Sequence, residues 1–162
     1  MQLKQETFIE LIKANEGIIF KISKVYAHNS EEQKDLYQEV VYQLWKSYGS
    51  FRNESKVSTW IYRIALNTCL TFVKKENKKG KRVDMDSTMI SKIDSTDDHF
   101  DDRIQELYRC IKNLNNVEKG IVLLYLEGNS YAEMAKITGF SESNIGTRLN
   151  RIKIKLKSQI KK

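Results

Sequence analysis

At 162 residues and 40% hydrophobic content, the chain holds enough apolar material for one packed domain or two small ones. Its formal net charge of +7 favours a polyanionic partner, and without a long apolar run nucleic acid ranks ahead of a membrane. Cys69 and Cys110 are far apart, His28 and His99 stand alone, and no metal-ligand spacing or nucleophile–base pairing is present, so no cofactor and no catalytic role are expected.

Proline is absent and helical periods run through most of the chain, which predicts an all-α protein. The first residues, Met1 to Glu6, lack the apolar core of a signal peptide, so the chain is expected in the cytosol with both cysteines as buried thiols. From Thr7 to Ala27 the apolar residues Phe8, Ile9, Leu11, Ile12, Ile18, Ile19, Ile22 and Val25 follow a helical period, with a bend near Asn15-Glu16-Gly17. Ser30 is a candidate cap for the next helix, and Glu31, Glu32 and Asp35 suit the positive end of its dipole. Leu36, Tyr37, Val40, Val41, Leu44 and Tyr48 form its core face. The opposite face carries Asp35, Gln38, Glu39, Tyr42 and Trp45; aromatic residues beside carboxylates on a basic protein read as a docking surface for another protein.

Gly49 to Ser55 reads as a loop. A helix then starts near Ser58 or Thr59, with Ile61, Ile64, Ala65, Thr68 and Phe72 on one side. Arg63, Asn67, Thr71, Lys74 and Lys78 lie on the other, and Trp60 falls with them. From Lys74 to Arg82 six cations stand against one carboxylate, and an aromatic and cationic face of this kind suits phosphates and unstacked bases. The character then changes. Asp84, Asp86, Asp94, Asp97, Asp98, Asp101 and Asp102 are interspersed with serines and threonines, which predicts a flexible acidic linker between two domains.

Helical periods resume at Ile104, Leu107, Tyr108 and Ile111, and again from Val117 to Leu126. Ser130-Tyr131-Ala132-Glu133 is a capping box. Gly139 suits a left-handed helix stop, with Phe140 folding back as its apolar contact. Ser141 caps a last helix whose buried stripe is Ile145, Leu149, Ile152, Leu156 and Ile160. Asn144, Thr147, Arg148 and Arg151 occupy a different face. No acidic residue follows Ser143. A helix-turn-helix with such a face suits the major groove, with base edges near the helix start and phosphates further along.

Four ordered motifs now resemble one family. Asp35-Leu36-Tyr37-Gln38-Glu39-Val40 with Leu44-Trp45, Ser58-Thr59-Trp60-Ile61-Tyr62-Arg63-Ile64-Ala65-Leu66-Asn67, Ser130-Tyr131-Ala132-Glu133-Met134-Ala135 and Arg148-Leu149-Asn150-Arg151 are similar to motifs of the extracytoplasmic-function sigma factors. These are the smallest type of bacterial RNA polymerase sigma subunit. The resemblance covers nearly the whole chain except the linker. It implies a region 2-like domain over 1–80, a linker over 81–101 and a region 4-like domain over 102–162.

The resemblance also assigns roles. Asp35, Leu36, Gln38, Glu39, Tyr42 and Trp45 would bind core RNA polymerase. Phe51, Arg52, Asn53, Ser58, Trp60, Arg63, Asn67, Lys74, Lys75 and Lys78 would read and open the promoter −10 element, capturing a flipped base of one strand. Ser141, Ser143, Asn144, Thr147, Arg148 and Arg151 would read the −35 element. Polymerase core and promoter DNA are the implied partners, with an anti-sigma factor as a further one and no small-molecule substrate. The chain departs from the family at Asn115, often a proline, and at Gly146, often a lysine; a glycine there leaves room for close approach to the DNA backbone. Two rivals stand beside this reading: an ordinary helix-turn-helix regulator, and an RNA-binding or scaffold protein using its charge nonspecifically.

Overall fold

The structure, a computed structural model, describes residues 2–52, 54–78 and 102–160. The acidic stretch expected as a linker over 81–101, and Asn53, lie outside the described residues, as does the side chain of Lys78. Within the described residues there are eight helices: α1 (Gln2–Ala14), α2 (Glu16–Tyr26), α3 (Ser30–Tyr48), α4 (Val57–Lys78), α5 (Asp102–Lys112), α6 (Asn116–Leu126), α7 (Tyr131–Thr138) and α8 (Glu142–Ile160).

Local chemistry explains most of the boundaries. The expected bend in the first apolar stretch is a break: the Asn15 side-chain amide donates to the Leu11 carbonyl at 2.9 Å, taking an acceptor that the helix would otherwise use. Helix α1 starts at Gln2 rather than near Thr7. Asn29, not Ser30, caps α3, because its side-chain oxygen accepts from the Glu32 amide at 2.8 Å. Asn115 forms a capping box with Glu118 at the start of α6, with bonds of 2.8 and 3.1 Å. Where the family often has proline, this chain therefore starts the helix with a side-chain acceptor instead.

Helix α4 is the centre of the molecule. Ile61 and Ala65 are fully buried, as the sequence period predicts, but Trp60, Tyr62, Leu66, Cys69 and Val73 are buried as well. Most of its circumference is therefore covered, by α2 and α3 within the N-terminal four helices and by α7 from the C-terminal four. Arg63, Asn67, Thr71 and Lys74, spaced three and four apart, keep one exposed stripe. In the C-terminal half, Ile145, Leu149 and Ile152 of α8 are fully buried, whereas Ile160, expected on the same stripe, is exposed at the helix end.

The two halves pack on each other and their buried residues form one continuous cluster. The Tyr26 hydroxyl of α2 donates to the Asn116 carbonyl of α6 at 2.6 Å. A Cβ added at Gly120 of α6 would lie 3.2 Å from both Leu66 Cδ2 and Tyr26 Oη, so glycine permits this approach. Cys69 and Cys110 are buried free thiols, and burial pushes the Cys69 thiol up out of the reactive range.

Candidate nucleic-acid interface

The helix-turn-helix is built by local bonds. The Ser130 hydroxyl accepts from the Glu133 amide at 3.1 Å and the Glu133 carboxylate accepts from the Ser130 amide at 2.8 Å, completing the expected capping box. Gly139 has φ 87°, left-handed, and its amide donates to the Ala135 carbonyl at 2.8 Å. The Ser141 hydroxyl accepts from the Asn144 amide at 3.1 Å and starts α8. Ser141, Ser143, Asn144, Thr147 and Arg151 are exposed and Arg148 is half-buried. Arg148 Nε donates to the Asn144 side-chain oxygen at 2.9 Å, and its guanidinium lies 4.5 Å from the centre of the Phe140 ring. The turn residue thus orients the cation of the recognition helix.

One expectation for α8 changes. Gly146 is half-buried, and its open side faces α7: an added Cβ would meet the Tyr131 ring at 3.4 Å, so the space belongs to helix packing rather than to a DNA backbone. Lys155 is engaged within the protein, its Nζ 2.7 Å from Glu118 Oε2. Burial pushes the Glu118 carboxyl up, but the bonds from Lys155 and the Asn115 amide, with the charge of Lys155, hold it below the usual carboxylate range.

In the N-terminal half, Trp60 is corrected from an exposed DNA-facing residue to a core one. It is only 9% exposed, stacked on Phe51 with ring centres 4.6 Å apart and tilted against Tyr48 at 6.4 Å. The polar-side assignment failed because Phe51 of the preceding loop and Tyr48 at the end of α3 close over the ring. Phe51 is half-buried, and Ser58 is too. A cleft of about 540 Å³ is lined by Ser50, Phe51, Arg52, Glu54, Ser55, Trp60, Arg63 and, from α7, Lys136.

On α3, Asp35, Gln38 and Glu39 are exposed, with Tyr42 53% and Trp45 37% exposed. Trp45 keeps one side out while its other side meets Phe8 at 5.0 Å between ring centres. Leu36 is corrected: it is fully buried in the core and has no surface to offer a partner. A second groove, about 480 Å³, runs between α3 and α4 and is lined by Asp35, Glu39, Gln43, Asn67, Thr68, Thr71, Phe72 and Lys75. It brings two docking residues beside Asn67 and Lys75, which the sequence treated as parts of separate surfaces. Gln43, whose amide donates to Glu39 at 2.9 Å, was missed, although its four-residue spacing from Glu39 was available to find it.

Also missed were the contacts between the halves. Lys56 Nζ lies 2.7 Å from Glu133 Oε2, and Arg63 Nη2 donates to the Lys136 carbonyl at 3.1 Å. The bond from Lys56 and the Ser130 amide hold the Glu133 carboxyl down at about 2. No helix among the described residues is long and apolar enough to cross a membrane.

Residues 11–79 match the model for sigma-70 region 2 and residues 104–156 that for sigma-70 region 4. The chain is 27% identical to RNA polymerase sigma factor SigV of Bacillus subtilis (strain 168), over 93% of this chain and 91% of that protein. With RNA polymerase sigma factor YlaC of the same organism it shares 30% identity, over 83% of this chain and 81% of YlaC. The fold is that of the sigma factor RpoE of Bartonella quintana, solved in complex with the anti-sigma factor NepR, with a TM-score of 0.72 at 20% identity over 99% of this chain and 98% of RpoE. CnrH, solved with the cytosolic domain of CnrY, superposes with a TM-score of 0.67 at 15% identity over 95% and 87% of the two chains. With a region 2 followed by a region 4, and relatives of the same kind aligned along nearly its whole length, the chain belongs to the extracytoplasmic-function family of RNA polymerase sigma factors.

Proposed function

We propose that this sigma factor grips the polymerase core through the exposed face of α3, with Asp35, Gln38, Glu39, Tyr42 and Trp45 as its contacts. The loop before α4 and the stripe Arg63–Asn67–Thr71–Lys74, with Lys75, engage the promoter −10 element. Asn144, Thr147, Arg148 and Arg151 of α8, with Ser141 and Ser143 at its start, read the −35 element. The chain performs no chemistry; polymerase supplies it. The cytoplasm, where polymerase works, is its place of action, and an anti-sigma protein is a further partner, as NepR is for RpoE.

The observation that carries this reading over a plain helix-turn-helix regulator is the groove between α3 and α4. An acidic and aromatic face adjoins a cationic stripe there, on a domain that a simple regulator does not need. In vitro transcription with bacterial core polymerase and a genomic promoter library, with and without the protein, tests it. Transcripts that depend on the protein and start at a defined set of promoters are expected. Sequence-specific DNA binding with no such transcripts would favour the simple regulator.

A further inference from the structure

The face of α3 given to the polymerase core is braced by a helix to which no role has been assigned. Helix α1 lies beside the C-terminal end of α3: a Cβ added at Gly49, directly after α3, would stand 3.4 Å from Lys4 Nζ. From Lys4 to Glu10 every residue but one is exposed, and the exception is Phe8, at 6%. Its ring packs against two aromatic residues of α3. Phe8 meets Trp45 edge-on, with ring centres 5.0 Å apart and planes at 63°, and meets Tyr48 at 5.2 Å and 60°. Trp45 and Tyr48, neighbours on one face of α3, are themselves stacked at 6.3 Å and 21°. Phe8 also lies ahead of residues 11–79, the stretch matched to region 2.

Trp45 is the member of this cluster that reaches solvent with a large apolar surface, at 37% exposed. A tryptophan on a helix surface has more than one staggered rotamer open to it, and packing selects among them. Tyr48 belongs to the same helix as Trp45. Among the described residues, Phe8 is the one aromatic contact that reaches the indole from another helix. Its distance and tilt fall in the edge-to-face range that aromatic pairs favour, so the contact fixes direction as well as burying area. An indole held in place before the partner arrives loses less freedom on binding, and aromatic anchors carry much of the energy of protein interfaces.

We propose that Phe8 is a positioning residue for core docking: from α1 it holds the Trp45 indole in the orientation presented to polymerase, without itself touching polymerase. This rests on the functional reading above, in which Trp45 is a core contact. With 13 residues, α1 is marginal as an isolated helix, so its order depends on the stripe of Phe8, Leu11 and Ile12 that packs on the rest of the protein. Phe8 and Trp45 therefore order each other: the indole gives α1 a place to dock, and α1 gives the indole one direction.

A double-mutant cycle on the full chain, with affinity for bacterial core polymerase measured by competition, tests the proposal. Phe8→Ala alone is expected to weaken core binding about threefold to tenfold, the scale of one side chain left to be immobilised on binding. Trp45→Ala alone is expected to weaken it about tenfold or more. The double variant is expected to bind as Trp45→Ala does, because Phe8 acts through the indole. A general loosening of the fold would instead cost the same further factor in either background. Acrylamide quenching reads the indole directly: with Trp60→Phe as background, Trp45 is the remaining tryptophan, and Phe8→Ala is expected to raise its quenching. Circular dichroism and thermal melts verify folding; should Phe8→Ala lose the fold, Phe8→Leu, which keeps apolar volume without the ring, replaces it in each arm. Wild-type core affinity of the Phe8 variant, additive losses in the double variant, or unchanged quenching each overturns the proposal. Gln38→Ala with Glu39→Ala is measured beside them. If that variant and Trp45→Ala both bind core as the wild type does, the docking reading of α3 fails and the proposal with it, whereas losses there without one in Phe8→Ala defeat only the positioning role.

Discussion

Asn144 and Arg148, one turn apart on α8, are joined by a hydrogen bond of 2.9 Å from the guanidinium to the amide oxygen. The pair is positioned before DNA arrives, so less side-chain freedom is lost on binding. Arg148→Ala is expected to weaken holoenzyme binding to the promoter. If the guanidinium reaches a base edge, the loss is about 1–3 kcal/mol and depends on the −35 sequence; a phosphate contact would weaken all sequences alike. Competition binding on wild-type and −35-substituted promoters measures the difference, and unaltered binding to both would remove Arg148 from the interface.

Gln38 and Glu39 project from α3 into solvent, whereas Leu36, beside them in the motif, is fully buried. Gln38→Ala with Glu39→Ala is expected to reduce core-polymerase affinity while shifting stability by no more than about 0.5 kcal/mol. Leu36→Ala is expected to cost about 2–5 kcal/mol of stability by leaving a cavity. Chemical denaturation and competition for core polymerase together separate these outcomes. Equal core affinity of the double variant and wild type would sink the docking role of α3.

Trp60 and Asn67 test the opening surface from two sides. Trp60 is stacked on Phe51 in the core, so Trp60→Ala is expected to destabilise the protein by about 3–5 kcal/mol, read as a lowered melting temperature. Asn67 is exposed in the groove with Lys75, and Asn67→Ala is expected to leave the melting temperature nearly unchanged while slowing promoter opening. Permanganate footprinting of holoenzyme on a matched promoter follows the opening. Normal opening by Asn67→Ala would place the strand-capturing surface elsewhere.

Glu133 sets an expected pH dependence. The bond from Lys56 and the Ser130 amide lower its carboxyl from the ordinary 4.5 to about 2, so the ionised form is the one the folded state favours. Its contribution is therefore complete above the ordinary value and is lost as pH falls through about 2, with the decline running between the two. A carboxyl carbon titration by NMR should show a midpoint well below 4.5 that rises toward it in Lys56→Ala. A midpoint at the ordinary value in wild type would deny both bonds.

Features held within a few residues were legible without coordinates. The capping box of Ser130 and Glu133, the left-handed stop at Gly139 and the exposed stripe from Arg63 to Lys74 depend on one helix turn at a time, so spacing and residue type determine them. The all-α fold and the order of the motifs follow for the same reason, whereas the bend expected near Asn15 is a full break between two helices. What lay beyond reach was the second buried face of α4. Leu66 packs toward Gly120 of α6, and the same boundary is bridged from Arg63 to Lys136, 73 residues on, and from Tyr26 to Asn116, 90 residues on, while Trp60 is covered nearer by, by Tyr48 and Phe51. A hydrophobic period reports that a face is apolar, but a helix buried nearly all round no longer has a single period to read. Leu36 illustrates the converse: Asp35, Gln38 and Glu39 of its motif are exposed, yet the 100° turn between successive residues carries it into the core. The meeting of α7 with the loop before α4 was decided by tertiary packing alone, because Lys56 and Glu133 have ordinary surface residue types and only proximity makes them a pair.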